Sequence, residues 1–134
     1  PGEKINFAPP LLKAPTDSTP SHADLLVVPG EFGQPALAYN PLRTSQAIVE
    51  FPDNQPLGKV TVVNNLNAPI SDAAVMWVAR NRNGTVVGSG YASTGRLDGT
   101  SSKIIEVPVC ILPPYDGLII SASVLLPDGV KIGE

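Results

Sequence analysis

The sequence predicts an all-β protein, and three observations support that class. Only 16% of the residues are charged, whereas proline and glycine are abundant, with 15 and 12 residues in a chain of 134. This composition is typical of short strands joined by many turns. No long stretch of good helix formers carries apolar residues at helical spacing. At this length the chain has room for one domain with a single hydrophobic core.

Prolines divide the chain into two parts. We predict an extended, proline-rich N-terminal arm over residues 1–45 and a β domain over residues 46–134. Eight of the 15 prolines lie in the first part. Because proline fixes φ and lacks an N–H group, we expect neither a helix nor a central strand there.

The arm also carries apolar residues that need a surface to cover. That surface belongs either to its own domain or to a neighbouring molecule, and we favour the neighbour. A purely flexible linker would instead be polar and rich in glycine and serine. The arm residues expected to bind a partner are Leu11, Leu12, Leu25, Leu26, Val27, Val28, Phe32, Leu37 and Tyr39.

Two strands are predicted at the start of the β domain. "AIVEF" (47–51) is followed by the turn "PDNQPLG", and "KVTVV" (59–63) alternates along its length. Val60 and Val62 share one face of the second strand, and we expect both to lie in the core. "NNLNAPIS" then breaks the pattern, since asparagine tolerates unusual backbone angles.

The stretch "DAAVMWVAR" (72–80) predicts the central strand of the fold. Val75 and Trp77 share one face, and we expect both in the core. Met76 and Val78 lie on the opposite face, so both faces are apolar.

A hairpin follows that strand. "NRNG" (81–84) predicts a tight turn, and "TVVGSGYAS" (85–93) predicts the returning strand. Gly88 and Gly90 lack side chains where Trp77 or a crossing backbone is expected to pack closely.

The remaining strands are shorter or interrupted. "SKIIEVPVCI" (102–111) contains Pro108, which predicts an edge strand or a bulge. "DGLIISASVLL" (116–126) alternates and places Ile120 in the core. The turn "PDG" then leads into "VKI" (130–132), which we expect to pair weakly or with another chain. Six or seven strands at this spacing predict a single Ig-like antiparallel β-sandwich of about seven strands.

Residues 59–109 resemble the FxLYD family of small Ig-like domains. The resemblance lies in "KVTVVNNLNAPISDAAVMWVARNRNGTVVGSGYAST" and "LDGTSSKIIEVPV". Asn64, Trp77 and Gly84 stand at corresponding places, whereas Ala79 and Arg80 replace the Tyr-Asp of the family. The resemblance implies a β-sandwich with a binding or scaffolding role and no catalytic residues.

The sequence predicts no catalytic residue and no cofactor. His22 stands beside Ser21 and Asp24, but sequence neighbours in a proline-rich arm lack the rigid support that a triad needs. Pro1 precedes Gly2 and is followed by no βαβ pattern, so a tautomerase-like proline base is not expected.

No metal site is predicted either. Asp98, Asp116 and Asp128 each precede glycine, which is typical of turns, and they show none of the spacing of a calcium loop. The single Cys110 forms no internal disulfide and, in its apolar surroundings, is expected to be a buried core residue.

Charge and hydropathy exclude further classes of partner. The net charge of −3 and the scattered basic residues predict no binding to nucleic acid or to anionic membranes. No apolar run approaches the roughly 20 residues that span a bilayer. "PGEKINFAPP" lacks the apolar core of a signal peptide, although a leader removed by cleavage would also leave none.

These features favour a non-enzymatic structural protein that docks onto a larger assembly through its arm and its β-sandwich. In this organisation it is similar to bacteriophage capsid decoration (cement) proteins and minor virion proteins. The expected partners are a shell or capsid protein, copies of the chain itself, or both, and the expected location is the virion. The alternative is an Ig-like, FxLYD-type binding module at the bacterial cell surface or in the periplasm.

Overall fold

The computed structural model describes residues 40–127 and 130–133. All nine arm residues predicted to bind a partner lie outside the described residues. The last part of the predicted arm, residues 40–45, is described, and residues 42–45 belong to the first strand.

The described residues form mainly strands, with one single-turn 3-10 helix between the first two strands. The elements are β1 (Leu42–Glu50), the 3-10 helix (Pro52–Asn54), β2 (Leu57–Asn64), β3 (Ala74–Arg80), β4 (Val86–Ser93), β5 (Ser101–Ile111) and β6 (Ile119–Leu125). All pairings are antiparallel, and the strand order is β1-β2-β5-β4-β3-β6. The predicted all-β class is therefore confirmed.

The sheet curls until it nearly closes on itself. Side chains link its two edge strands, β1 and β6. The amide of Asn40, just before β1, donates to the Val124 carbonyl at 2.8 Å, and the Thr44 hydroxyl in β1 donates to the Ala122 carbonyl at 3.0 Å. The described strands thus form one curled sheet of six strands. This topology does not confirm an Ig-like sandwich of about seven strands.

Strand β5 corrects the prediction made from Pro108. It is an inner strand, and its register with β2 runs unbroken from Ser101 to Pro108, whereas residues 109–111 pair with β4. Pro108 is thus neither at an edge nor at a bulge. Pro108 is the last β5 residue paired with β2, and pairing with β4 begins at Val109. Because the missing N–H of Pro108 falls at this change of partner, the strand continues through the proline.

The prediction that Cys110 is buried is wrong, because its side chain is exposed. Along β5 the core-facing residues are the alternate ones, which include Val109 and Ile111. Side chains of a strand alternate between faces, so Cys110 between these two points outward.

Two element boundaries also differ from the sequence predictions. β1 begins at Leu42 rather than at residue 47, and it contains a register shift between Ser45 and Ile48. The predicted strand at residues 130–132 is reduced to an isolated bridge between Ile132 and Ile70. Asp128 and Gly129 of the preceding turn lie outside the described residues.

The core lies inside the curled sheet. Val60, Val62, Val75 and Trp77 are fully buried there, and Ile120 is half-buried against them. The Trp77 indole N–H donates to the Ile48 carbonyl at 3.2 Å, which links β3 to β1 across the core.

β3 is an inner strand with both faces buried, although it is next to the edge strand β6 and not at the centre of the sheet. It lies between β4 and β6, and residues 74–79 are all buried. The 81–85 turn closes the predicted hairpin through hydrogen bonds between Asn81 and Thr85, and Gly84 has the positive φ of 81° that this turn requires.

The crossing backbone at the β4 glycines is β5. A Cβ on Gly88 would lie 2.8 Å from the Cys110 carbonyl oxygen, and one on Gly90 would press on the Pro108 carbonyl oxygen. Trp77 instead packs against Gly58, where a Cβ would lie 3.0 Å from the indole nitrogen.

Because the strands alternate in direction, the domain has two ends. We call the end at which the chain enters β1 the upper end. The loops 65–73 and 94–100 and residues 126–127 and 130–133 lie there. At the lower end lie the loops 51–56, 81–85 and 112–118.

Candidate interaction surface

Exposed apolar side chains concentrate at the lower end. In the described part of the chain eight large apolar residues are exposed. Five of them lie at the lower end, and we call these five the lower-end patch: Phe51, Val86, Leu112, Tyr115 and Ile119. Single exposed apolar residues are normal on a protein surface, but a group of them at one place is typical of a binding surface.

An aromatic pair joins two loops within the lower-end patch. The rings of Phe51 and Tyr115 have their centroids 5.0 Å apart and are tilted by 35°. Such pairs contribute about 0.5–1.5 kcal/mol beyond their buried area. The pair connects the 51–56 loop to the 112–118 loop, yet both rings remain accessible, with 38% and 43% of the residue exposed.

The local sequence explains why Phe51 lies at the end of the sheet and not within it. Phe51 is followed by Pro52, which begins the 3-10 helix, and Asp53 and Asn54 then adopt positive φ values of 51° and 61°. Aspartate and asparagine tolerate this conformation better than other non-glycine residues. The chain therefore turns sharply after β1 and leaves Phe51 at the rim.

The last strands reach the same rim. The backbone N–H of Leu112 donates to the Val87 carbonyl at 2.8 Å, which holds the end of β5 beside the start of β4. Val86 and Ile119 are both register partners of Arg80, one on each side of β3. Antiparallel pairing thus brings together residues that are far apart in sequence.

An open groove of about 620 Å³ lies at this end of the domain. It runs between the 51–56 loop and the lower part of β5, at Pro108 and Val109. Its apolar lining includes three prolines, and Asp53 and Gln55 are its polar members; the apolar residues are Pro52, Pro56, Leu57, Pro108 and Val109.

A second, smaller groove of about 440 Å³ lies on the outer face of β1, β2 and β5. Ile48 and Ile104 line it and are 45% and 68% exposed. The Lys59 ammonium lies 2.7 Å from the Glu50 carboxylate in the same groove. This hydrogen bond is the main reason that the pKa of Lys59 is raised.

The upper end is instead a network of polar contacts. Asn64 is completely buried, and its amide donates to the carbonyls of Ala68 and Asp98, both at 3.0 Å. Its side-chain oxygen accepts the backbone N–H of Leu66 at 3.0 Å. The sequence pattern marked this asparagine only as a break after β2, because nothing local shows that its partners lie in two different loops.

Asp72 makes a second set of contacts at this end. Its carboxylate accepts hydrogen bonds from the Ser93 hydroxyl at 2.6 Å and from the N–H groups of Ala73 and Gly95 at 2.8 and 3.0 Å. Partial burial by itself raises the pKa of Asp72, but these donors outweigh it, so the pKa lies below its ordinary value.

The acidic residues weighed as turn or cation positions do not come together. Asp98 lies in the 94–100 loop and Asp116 in the 112–118 loop, at opposite ends of the domain. Across residues 40–127 and 130–133, no three His, Cys, Asp or Glu side chains are grouped so as to hold a metal ion. Asp128, and the arm residues Pro1, Ser21, His22 and Asp24, lie outside the described part of the chain.

No known protein family, curated protein or solved structure matches this chain. Within the described ranges, no helix has the length and hydropathy needed to cross a membrane.

Proposed function

We propose that this protein is a non-enzymatic structural protein that docks onto a larger protein assembly through its N-terminal arm and its β domain. The lower-end patch is the observation that carries this proposal. Its five apolar side chains lie at the lower end of the domain, where a groove lined by prolines also lies. Protein-binding surfaces are typically apolar groups of this kind with a polar rim.

The chemistry of the arm supports the same proposal. Leu25, Leu26, Val27 and Val28 are followed directly by Pro29. Prolines already limit the conformations of the unbound chain, so less conformational entropy is lost when such a segment binds.

Within this proposal the assembly is a virion, and the protein is a viral or bacteriophage capsid decoration (cement) protein or a minor virion protein. A small β domain with a long apolar arm suits attachment to a shell, and this inference rests on organisation alone. The shell protein, further copies of the chain, or both would be the partners.

We further propose that the curled sheet is a variant of the Ig-like sandwich. In this interpretation, β1, β2 and the first part of β5 form one layer, and the end of β5 with β4, β3 and β6 forms the other. The core supports it, since Val60 and Val107 from the first layer pack with Trp77 and Val124 from the second.

Density-gradient fractionation of the source cells or particles tests the function. The experiment compares the tagged full chain, a variant with residues 25–28 changed to serine, and a control with Thr16, Ser18 and Thr19 changed to alanine. We expect the wild type and the control to migrate with large particles. The serine variant should remain with small proteins, because it has lost the apolar contacts of the arm.

Two results would contradict the proposed function. One is a wild-type chain that stays with small proteins across the gradient. The other is a serine variant that migrates with the particles as the wild type does. Migration with cell-envelope fragments instead of particles would favour the cell-surface alternative.

A further inference from the structure

We infer that the lower-end patch binds the N-terminal arm of a second copy of this chain, so that copies join head to tail. This inference rests on the proposed function, because it takes the arm as the segment that grips. It adds the identity of one partner and the surface that receives the arm.

The described chain begins at the upper end, where Asn40 and Pro41 are held by hydrogen bonds. The Asn40 amide donates to the Val124 carbonyl at 2.8 Å, and the Asn40 side-chain oxygen accepts the Leu42 N–H at 3.0 Å. The Pro41 carbonyl accepts the Asn65 amide at 3.1 Å. These contacts fix the start of the domain at the upper end, whereas the lower-end patch lies at the opposite end.

The direction of β1 and the length of residues 1–39 favour a neighbouring copy as the partner. β1 runs from the upper end to the lower end, so a chain that enters it without turning comes from beyond the upper end. Residues 1–39 span up to about 120 Å at roughly 3.1 Å per residue in a polyproline conformation. A neighbour placed beyond the upper end, with its own patch facing this domain, is within that reach. Binding to the chain's own patch would require the arm to reverse along the length of the sheet.

The lower-end patch fits a proline-rich segment chemically. Such segments bind surfaces that carry aromatic rings, and the accessible rings of Phe51 and Tyr115 supply two of them. The proline-lined groove lies at the same end but has no aromatic ring in its lining. The arm stretch "DLLVVPGEFGQPALAY" (24–39) offers apolar residues between prolines and has only Asp24 and Glu31 as charged residues. The five residues of the lower-end patch are uncharged, so the contact would be mainly apolar.

The resulting contact joins two different surfaces, an arm and a patch. Such heterologous contacts produce rings when the rotation closes and open chains when it does not. Either product is an assembly built from many copies of this chain, in keeping with a role in a larger structure.

Photo-crosslinking of the full chain tests the inference. One preparation carries p-benzoylphenylalanine in place of Leu112 in the lower-end patch, and a matched control carries it in place of Ile104 on the outer face of β5. The two positions are comparably exposed, at 65% and 68%. Each unlabelled preparation is mixed with ¹⁵N-labelled wild-type chain, irradiated and digested, and the crosslinked peptides are identified by mass spectrometry.

We expect crosslinks from p-benzoylphenylalanine at position 112 to residues 24–39 of the ¹⁵N-labelled copy. These mixed-isotope products should be absent when p-benzoylphenylalanine is at position 104. Crosslinks to the arm found exclusively within a single isotope, with no mixed-isotope product, would assign the patch to the chain's own arm and overturn the inference. Crosslinks elsewhere, or none, would also overturn it. If the gradient experiment still shows that the arm is required, only the receiving surface has been wrongly assigned. If the serine variant also behaves as the wild type, the proposed function fails as well.

Discussion

Asn64 holds two loops of the upper end with one buried side chain. It is the last residue of β2, and its amide reaches carbonyls at Ala68 and Asp98 while its oxygen accepts the Leu66 N–H. Asparagine alone among short side chains offers two donors and an acceptor in this arrangement. Buried backbone groups need such partners, because leaving them unpaired costs free energy.

Replacing Asn64 should therefore weaken the fold. We expect Asn64→Ala to lower the free energy of unfolding by about 1–3 kcal/mol, the usual cost of unpaired buried polar groups. Urea unfolding followed by the fluorescence of Trp77, the only tryptophan of the chain, measures this change. Asn67→Ala in the same loop is the control, since Asn67 is exposed. Equal losses in the two variants would contradict the assigned role.

Asp72 makes stability depend on pH in a defined direction. Its pKa is lower in the folded protein than the ordinary value of 3.8, so its ionised form stabilises the fold above that value. This contribution is lost as the pH falls through the lowered pKa. We expect Asp72→Asn to reduce stability at neutral pH and the difference from wild type to shrink in acid.

Thermal unfolding at neutral pH and well below pH 3.8 tests this. The control is Asp98→Asn, because the Asp98 side chain is largely exposed and pairs with the exposed Arg96. A stability difference between Asp72→Asn and wild type that is the same at both pH values would contradict the role of the carboxylate.

At the scale of elements, the close crossing of β4 and β5 requires glycine. A Cβ on Gly90 would press on the Pro108 carbonyl oxygen and lie 2.6 Å from a Val109 methyl carbon. The obstacle includes backbone, so neither strand can relieve it by a rotamer change alone. The two strands must therefore separate if a side chain is introduced there.

We expect Gly90→Ala to lower the free energy of unfolding by about 1–3 kcal/mol, as overpacked cores do. Chemical denaturation monitored by circular dichroism gives the value. Ser89→Ala, on the opposite face of β4, should change stability by no more than about 0.5 kcal/mol. A Gly90→Ala variant as stable as wild type would show that the strands are less closely packed than described.

Alternation and turn chemistry predicted the elements whose signals are local. The "NRNG" hairpin, the burial of β3 on both faces and the burial of Val60 and Val62 follow from such signals. The early start of β1 and the inner position of β5 depend on partners that are distant in sequence. Pro108 illustrates the limit, because its effect depends on where β5 changes from β2 to β4.

The candidate surface could not be predicted in the same way. The lower-end patch takes residues from the ends of strands and from two loops, and only the antiparallel topology places them together. The alternation that places Ile120 in the core puts Ile119 on the opposite face, but it does not show that Leu112 lies at the same end of the domain. The sequence predicted binding residues in the arm, and these lie outside the described part of the chain.

At the scale of the whole molecule, the two ends of the domain differ in chemistry. The upper end is fixed by hydrogen bonds around Asn40, Asn64 and Asp72, and it is where the preceding chain joins. The lower end presents apolar side chains and a groove. If the lower end receives the arm of another copy, as we propose, this difference between the two ends makes the association repeated and directional.

Sedimentation velocity over a range of concentrations tests this central claim most directly. It compares wild type with Leu112→Glu in the lower-end patch and with the equally exposed Ile104→Glu on the outer face of β5. We predict concentration-dependent association of the wild type and of Ile104→Glu, and association weakened by about tenfold or more, ~1.4 kcal/mol, for Leu112→Glu. A wild type that stays monomeric throughout, or equal effects of the two substitutions, would contradict the account.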